Sequence, residues 1–400
     1  MGSEQKIEPI IKQSIVKLLD YCRQNNWSGF DPFDGLNSKI FCALPLVQNR
    51  IVRLIFIQAM KRSPFNFRHI FLVPKGENPK GLAVFCSALF ILAEMGLIED
   101  DDIVSRLLNR LVDLRSPDSP YYCWGYNFDW QSRAFFLPKF TPNIICTTFA
   151  GNALIDAYYK FTDDRYMDMA ISAGNFLLEG LNITRSNDEI CFSYTPLDWG
   201  QVHNANLLGA AFLSRLYRIT QEKKFLMPAQ SAVQFSLRRQ NEDGSWPYGE
   251  DMTQRWIDNF HTGYNLVALK RFSEHTGNKE LAKNITRGFQ FYKNNLFTDE
   301  GVPKYYHNKL YPIDVHSIAQ SIITLVELEA IGEGNVELAK CIFTWALNIM
   351  QSKNGYFFYQ QSRFFKNRIP YMRWSQAWML YATSILAQAL CKESFSTARQ

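Results

Sequence analysis

Three histidines recur at nearly equivalent places along the chain, and several kinds of chemistry could use them. His203, His261 and His316 each stand at the beginning of a helical pattern, so we expect them to face one cavity. Three histidines can bind a catalytic zinc ion that keeps one coordination position open. No C-x-x-C pair accompanies them, and Cys146 is the only thiol near a comparable position. We therefore expect hydrogen-bonding or proton-transferring histidines, with no metal and no cofactor.

Carboxylates near the same positions indicate acid–base chemistry. Cleavage of a glycosidic bond needs two positioned carboxyl groups, one of them protonated as the acid. Asp129 is the first candidate for the acid, because it lies in the aromatic stretch from Tyr126 to Trp130, where helix capping does not explain it. Asp258 is a second catalytic candidate, although Asp258 and Asp314 also precede helical patterns, where aspartate is a preferred N-cap. Hydrolysis with Asp129 as the acid is the favoured prediction.

The same region carries the residue types that remove a proton beside a sugar carboxylate. That reaction needs a His or Tyr to move the proton, and Asn, His or Arg to neutralise the carboxylate. The candidates for proton transfer are His203, His261 and Tyr371, and those for binding the carboxylate are Arg133, Asn204, Asn259, His316 and Arg373. Lyase or C5-epimerase chemistry is therefore the alternative function. A glycan-binding or scaffold protein without catalysis is a further alternative.

Aromatic residues stand out in the loops between helical patterns. Their flat apolar faces and polar edges match the C–H faces and hydroxyl rims of sugars. The candidates for stacking on a substrate are Trp124, Tyr126, Trp130, Trp199, Trp256 and Trp374. Any one of them could instead pack on neighbouring helices as a spacer. As a set they favour a carbohydrate ligand.

The elements that position these residues are predicted to be helical hairpins in a repeat. Thr220 aligns with Thr276, and Gly277-Asn278 aligns with Gly334-Asn335. The first helix of each pair is apolar on nearly all sides, which is typical of a helix covered all round, whereas the second is amphipathic. The predicted inner helices span 81–95, 143–160, 202–219, 259–275, 314–330 and 373–391. Because such repeats bury their faces only against neighbours, we predict an all-α (α/α)6 toroid.

Composition limits the function classes. The chain has 400 residues, a net charge of +5 and 15% aromatic residues, and its basic residues are scattered rather than clustered. We therefore expect no nucleic-acid partner. No window is apolar enough to span a membrane, and the eight cysteines are spread singly, as in a reducing compartment. We expect a cytoplasmic protein without membrane insertion, and the sequence leaves the oligomeric state open. Residues 1–400 are read as one toroidal domain, with 1–80 supplying N-terminal helices and a loop that closes the ring.

One loop motif and the repeat pattern carry a resemblance to known families. Gln240, Asp243, Gly244, Ser245 and Trp246 form Q-x-x-D-G-S-W. This motif resembles that of terpenoid cyclase and prenyltransferase toroids, and it implies a fold more than a chemistry. The overall pattern resembles six-hairpin carbohydrate-active proteins: unsaturated glucuronyl hydrolases, polysaccharide lyases and glucuronyl C5-epimerases. The segment Phe30–Ser38 resembles proteins of bacterial exopolysaccharide gene clusters. The resemblance implies an acidic or exopolysaccharide-related glycan as substrate.

Overall fold

The computed structural model describes residues 8–99, 101–132 and 136–397. The helices are α1 Pro9–Gln24, α2 Lys39–Cys42, α3 Arg50–Arg62, α4 Pro79–Glu94, α5 Asp101–Asp113, α6 Ile144–Phe161, α7 Asp164–Asn175, α8 His203–Thr220, α9 Lys223–Arg238, α10 Asn259–Thr276, α11 Ala282–Asn295, α12 Val315–Glu327, α13 Asn335–Met350 and α14 Trp378–Thr397. A π-helical turn, Met372–Ala377, leads into α14. None of the helices in the described ranges is long and apolar enough to cross a membrane.

The helices form a closed ring of six hairpins. Each of α4, α6, α8, α10 and α12 contacts the next inner helix, and α14 contacts α4 to close the ring. The outer helices α5, α7, α9, α11 and α13 each pack on the inner helix that precedes them, and α1 packs on α14. The predicted (α/α)6 toroid is confirmed. The predicted inner helices lie close to the observed ones, and the largest difference is at the C-terminal end of α14.

The two ends of the ring differ in the length of their connections. Inner helices pass to outer helices through short turns, as from Thr220 of α8 to Lys223 of α9. Two of these turns place a side-chain-bearing residue in the left-handed region, Thr162 at φ 54° and Gln221 at φ 60°, whereas the turn after α10 uses Gly277 at φ 71°. Outer helices return through long loops to the next inner N-terminus. The long loops therefore collect at the N-terminal ends of the inner helices.

Short strands stiffen these long loops. They are β1 Trp130–Gln131, β2 Phe136–Leu137, β3 Ile183–Ser186, β4 Glu189–Phe192, β5 Ile313–Asp314, β6 Gln360–Gln361 and β7 Lys366–Asn367. The strands pair antiparallel as β1–β2, β3–β4 and β5–β6–β7. The 116–141 loop therefore contains a hairpin, although its sequence indicated only an irregular segment.

The Q-x-x-D-G-S-W motif has a structural role in the loop after α9. Gly244 adopts φ 92°, a left-handed conformation that side chains disfavour. Asp243 accepts hydrogen bonds from the backbone and hydroxyl of Ser245 at 2.9 and 2.7 Å. The buried Trp246 donates its indole N–H to the carbonyl of Ser236 at 2.8 Å. These bonds fix the turn and fasten it to α9, and they give the motif a structural role.

Candidate active site at the helix N-termini

The first turns of the inner helices and the loops above them form one end of the ring, the N-terminal mouth. Helix N-termini present backbone N–H groups that have no partner inside the helix, so carboxylates are favoured there. Asn143 caps α6, Asp258 caps α10 and Asp314 caps α12. The capping roles considered for the two aspartates are confirmed. Their carboxylates are held in fixed positions at the mouth.

A histidine–carboxylate pair stands at the start of α10. Oδ1 of Asp258 accepts the backbone N–H of His261 at 3.0 Å, and Oδ2 lies 2.7 Å from Nδ1 of the same residue. Oδ2 also accepts the indole N–H of Trp256 at 3.0 Å. Asp258 is buried, whereas 21% of the His261 side chain remains exposed. Donation of Nδ1–H to the carboxylate leaves Nε2 as the basic nitrogen, and an imidazole held this way can accept a proton.

Aromatic rings surround this imidazole. The rings of Tyr248 and Trp256 are stacked, with centroids 4.7 Å apart and planes at 11°. Tyr248 lies 4.5 Å from the His261 ring, and Phe260 lies 4.2 Å from it on the other side. A half-buried aromatic pair beside a partly exposed histidine offers an apolar face against which a sugar ring can stack.

His316 is enclosed deeper in the same cluster. Its Nε2 lies 2.7 Å from the hydroxyl of Tyr264, and its ring lies between those of Trp374 and Trp378, at 4.4 and 4.6 Å. Burial, followed by the charges of Lys80, Arg373 and His261, holds the pKa of His316 well below its usual value. His316 is therefore neutral at physiological pH. Burial also raises the pKa of Tyr264 well above the usual value, so its hydroxyl keeps its proton.

A buried lysine completes the cluster, and the sequence-based prediction missed it. The ammonium of Lys80 lies over the rings of Phe149, Trp378 and Tyr264, at 4.7, 5.1 and 5.4 Å from their centroids. No carboxylate within the described residues forms an ion pair with it. Burial in this cage lowers its pKa to about 7. The sequence signal was available, because Lys80 directly follows Asn78 and Pro79, a cap and an N1 proline.

A second lysine and an arginine lie near Trp374. The ammonium of Lys61 lies 4.4 Å from the centroid of Phe33 and 6.0 Å from that of Trp374, and burial lowers its pKa to about 8. Arg373 forms a two-point ion pair with Asp31, with distances of 2.6 and 2.8 Å. Because both ends of this pair are buried and satisfied, Arg373 ties the N-terminal loop to the start of α14. Arg373 was predicted to bind the carboxylate of a substrate, but its guanidinium is already paired with the carboxylate of Asp31.

His203 does not join the other two histidines, and the expected cluster of three is corrected. Its Nε2 lies 2.9 Å from Glu250 Oε1, and its Nδ1 lies 3.3 Å from the hydroxyl of Ser236 on α9. His203 is the first residue of α8, His316 the second of α12 and His261 the third of α10. Since each residue of an α-helix turns about 100° from the previous one, this offset aims His203 at the outer ring.

Two other first-turn residues also lie outside the cluster. Asn259, the first residue of α10, is bonded to the hydroxyl of Tyr292 at 2.9 Å and to the carbonyl of Leu296 at 3.2 Å. It therefore fastens α10 to α11. Asn204 is buried, and its Oδ1 has no hydrogen-bond partner among the described residues. Binding of a substrate by Asn204 therefore stays a prediction.

The remaining predicted residues separate into buried and exposed groups. Trp124 and Tyr371 are completely buried, and the indole of Trp124 donates to the carbonyl of Leu111 at 2.7 Å. Trp199 is 66% exposed on the surface. Asp129 accepts the backbone N–H of Lys139 at 2.7 Å in the hairpin loop, outside the His261 cluster.

Tyr126 and Trp130 approach the mouth from the 116–141 loop. The hydroxyl of Tyr126 is 2.7 Å from that of Tyr194, and its ring packs edge-on against Trp130 at 6.1 Å. Arg133, also predicted to bind substrate, lies outside the described residues. No group of three or more His, Cys, Asp or Glu side chains within the described ranges is arranged to hold a metal ion.

Comparison with solved structures shows the fold, whereas no family model and no curated protein matches the sequence. A protein from Listeria innocua is 11% identical, with 96% of this chain and 98% of that chain covered at a TM-score of 0.62. A cellobiose 2-epimerase from Bacillus thermoamylovorans is 10% identical over 79% of this chain and 88% of that one, at 0.59. A glycosyl hydrolase family 88 protein from Bacteroides vulgatus is 11% identical over 82% and 96%, at 0.55. The similar solved structures are (α/α)6 toroids, and they include epimerases, glycoside hydrolases and a polysaccharide lyase, as the sequence resemblance implied.

Proposed function

We propose that this protein is a carbohydrate-active enzyme that moves a proton at a carbon beside a carbonyl or carboxyl group of a sugar. The observation that supports this proposal is the pair formed by His261 and Asp258. It combines a buried, oriented carboxylate with an imidazole whose free nitrogen is on a partly exposed side chain. This is the arrangement that general base catalysis requires.

The proposed reaction begins when Nε2 of His261 accepts the proton from the sugar carbon. The electron pair of the broken C–H bond moves onto the neighbouring carbonyl oxygen, giving an enolate, and Asp258 stabilises the imidazolium that forms. Lys80 supplies positive charge to the same cluster, and the protonated Tyr264 is the second proton carrier. Return of a proton to the opposite face gives an epimer. Loss of a substituent from the next carbon gives the unsaturated product of a lyase.

Hydrolysis is less well supported by the geometry of the carboxylates. Asp258 accepts three N–H donors, counting the indole of Trp256, and Asp314 accepts donors from His316, Gln360 and Trp374. Both residues are buried, so neither offers a free oxygen to a glycosidic bond. Asp129 as a hydrolytic acid remains a prediction that the experiment below also tests.

The similar folds support the general class. A cellobiose 2-epimerase, a sugar epimerase and a polysaccharide lyase are among the similar structures, and the name of each gives a carbohydrate as the substrate. An acidic or exopolysaccharide-related glycan and a cytoplasmic location remain parts of the proposal. No disulfide forms among the eight cysteines, all of which lie within the described residues, and this suits a reducing compartment.

The test follows solvent deuterium into the sugar. The full chain is incubated in D₂O with reducing disaccharides and with uronate-containing oligosaccharides, and nuclear magnetic resonance follows the C–H signal beside the carbonyl or carboxyl group. We expect exchange with the native protein and a loss of about 10²–10⁴-fold in the His261→Asn variant. His69→Asn is the matched control, because His69 is an exposed histidine outside the cluster.

Two outcomes would contradict the proposal. Release of free sugar without deuterium incorporation, abolished by Asp129→Asn and not by His261→Asn, would establish hydrolysis instead. Binding of the same oligosaccharides without any turnover, unchanged in both variants, would leave a glycan-binding protein.

A further inference from the structure

A large chamber occupies the ring axis at the end opposite the candidate active site. Its volume is about 1020 Å³. On α4, α6, α8, α10 and α12, the residues that line it begin beyond the first turn and continue to the C-terminal end, as with Leu208 to Arg218 of α8 and Tyr264 to His275 of α10. On α14 they begin at Trp378, directly after the π-helical turn. Since a helix rises about 1.5 Å per residue, the α10 wall alone is roughly 16 Å deep. The chamber therefore opens at the C-terminal ends of the inner helices.

The deep part of the chamber is mainly apolar, and its polar side chains are Ser87, Thr148, Asn152 and Gln320. Phe149, Tyr264 and Trp378 form the floor, and the ammonium of Lys80 lies over the same three rings. Higher up, aliphatic side chains contribute to the wall, namely Val84, Leu208, Val267, Ile323 and Ile385. Acidic side chains begin only toward the opening. The deep part of this space therefore suits an apolar body rather than a charged one.

Basic side chains outnumber acidic ones in the lining of the chamber. Six basic and four acidic side chains line it: Lys160, Arg215, Arg218, Lys270, Arg271 and Lys392 against Glu94, Asp156, Glu274 and Glu327. Most of these charges are in ion pairs, since Glu327 lies 2.7 Å from Arg271 and 2.8 Å from Lys270, Glu274 also pairs with Lys270, Asp156 pairs with Arg215, and Lys160 pairs with Asp101 outside the lining.

Arg218 remains available at this opening. It is exposed, and it has no carboxylate partner within the described ranges. Burial, followed by the charges of Arg215, Arg271 and Arg218, lowers the pKa of the neighbouring His275 to about 4, so this imidazole adds no charge of its own at neutral pH. A ligand that places an anionic group at the opening would meet Arg218 and these neighbours.

We infer that the chamber is a second binding site, which takes a single-chain amphipathic anion. An aliphatic or isoprenoid chain fills the apolar pit down to the Phe149, Tyr264 and Trp378 floor. A phosphate or carboxylate group stays at the opening beside Arg218. The chamber extends from the proposed proton-transfer site toward the C-terminal ends of the inner helices, and the two sites share Tyr264, which contacts Lys80 and also lines the chamber. It does not depend on the proposed function.

The test is calorimetric titration of the full chain with three probes: farnesyl phosphate, farnesol and inorganic phosphate. We expect farnesyl phosphate to bind, farnesol to bind at least about ten-fold more weakly, and inorganic phosphate not to bind measurably. Ala211→Phe places a ring in the chamber and should weaken farnesyl phosphate by about ten-fold or more. Arg218→Glu should weaken it similarly while leaving the weaker farnesol binding unchanged.

The variants are controlled for folding and for charge. Because a new ring can disturb packing, Arg218→Glu at the exposed opening tests the site independently, and melting curves accompany both variants. Lys12→Glu reverses an exposed charge on α1, far from the chamber lining, and should not alter binding. Equal affinity for farnesol and farnesyl phosphate overturns the anionic part of the inference. Binding of inorganic phosphate alone, or no binding of any probe to folded protein, overturns the inference as a whole.

Discussion

The two ends of the toroid are built from the same six helices, yet they differ in chemistry. The N-terminal mouth is covered by long loops, and it holds a partly exposed, oriented histidine beside the buried capping aspartates and the buried Lys80. The C-terminal end is joined by short turns and leaves a chamber of about 1020 Å³ with charges at its opening. Helix dipoles explain part of the difference, because they favour carboxylates at N-termini and basic groups at C-termini. Loop length explains the rest, since only long loops can fill the axis.

Removal of the oriented carboxylate is expected to have the largest effect at the N-terminal mouth. Asp258→Asn takes away the negative partner of the His261 imidazolium, so deuterium exchange into the sugar should fall by about 10²–10⁴-fold. Asp163→Asn is the matched control, because Asp163 also caps a helix, at the exposed start of α7. Equal turnover in the Asp258→Asn and Asp163→Asn variants would mean that Asp258 acts only as a helix cap.

At the C-terminal end, the largest expected effect is on stability. Glu327→Gln leaves Arg271 and Lys270 without their carboxylate, which should cost about 3 kcal/mol in the free energy of unfolding. Glu8→Gln, which breaks the more exposed pair with Lys340, should cost less than about 1 kcal/mol. Urea unfolding at neutral pH measures both. Proton exchange into the sugar should survive either change in folded protein.

Acidification gives the Glu327 pair a second signature. Although burial opposes it, the charges of Arg271 and Lys270 hold the pKa of Glu327 down at about 2, below its usual value of 4.5. A carboxyl group with a lowered folded pKa contributes stability that is complete above the unfolded pKa and is lost as pH falls through the folded one. The stability difference between native protein and Glu327→Gln should therefore shrink between pH 4.5 and 2. A constant difference would contradict the role of charge.

Replacement of Lys80 is expected to raise stability and lower activity, whereas replacement of Glu327 lowers stability and leaves activity unchanged. Its folded pKa of about 7 lies below the usual 10.5, so the native state binds fewer protons than the unfolded state between these values. Stability should therefore rise with pH from about 7 to 10.5, and Lys80→Met should be more stable at pH 7 by about 1–3 kcal/mol and lack this rise. Sugar exchange should fall in the same variant. Unfolding curves across this pH range, with turnover at pH 7, check both results.

The smallest predicted effect concerns the short turns around the chamber opening. Gln221 and Gly277 occupy equivalent left-handed positions after α8 and α10. Because only glycine adopts this conformation without strain, Gln221→Gly should raise the melting temperature and Gly277→Ala should lower it, each by about 1 kcal/mol or less in stability. A shift in the same direction for both variants would mean that side-chain contacts, and not backbone strain, decide these turns.

Sequence reasoning located helices well and side-chain directions poorly. The all-round apolar pattern of the inner helices identifies them without tertiary information, and the aspartates before α10 and α12 were readable as caps. The three histidines have similar positions in the repeat, but the sequence alone does not fix the alignment of the repeats to better than one or two residues. On a helix, such a shift rotates a side chain by 100° or 200°, enough to send His203 to Glu250 and leave His261 at the mouth.

The ring can be predicted from the amino-acid pattern alone: the number of hairpins, which helices are inner, and the end at which the long loops gather. These follow from local hydrophobic periodicity and capping, which act within a few residues. The three-dimensional packing is needed to show that Lys80 is caged by Phe149, Tyr264 and Trp378, and that the opposite end holds a chamber. The cage joins residues from four different inner helices. Which of them meet depends on helix rotation and packing around the axis, and no local pattern encodes either quantity.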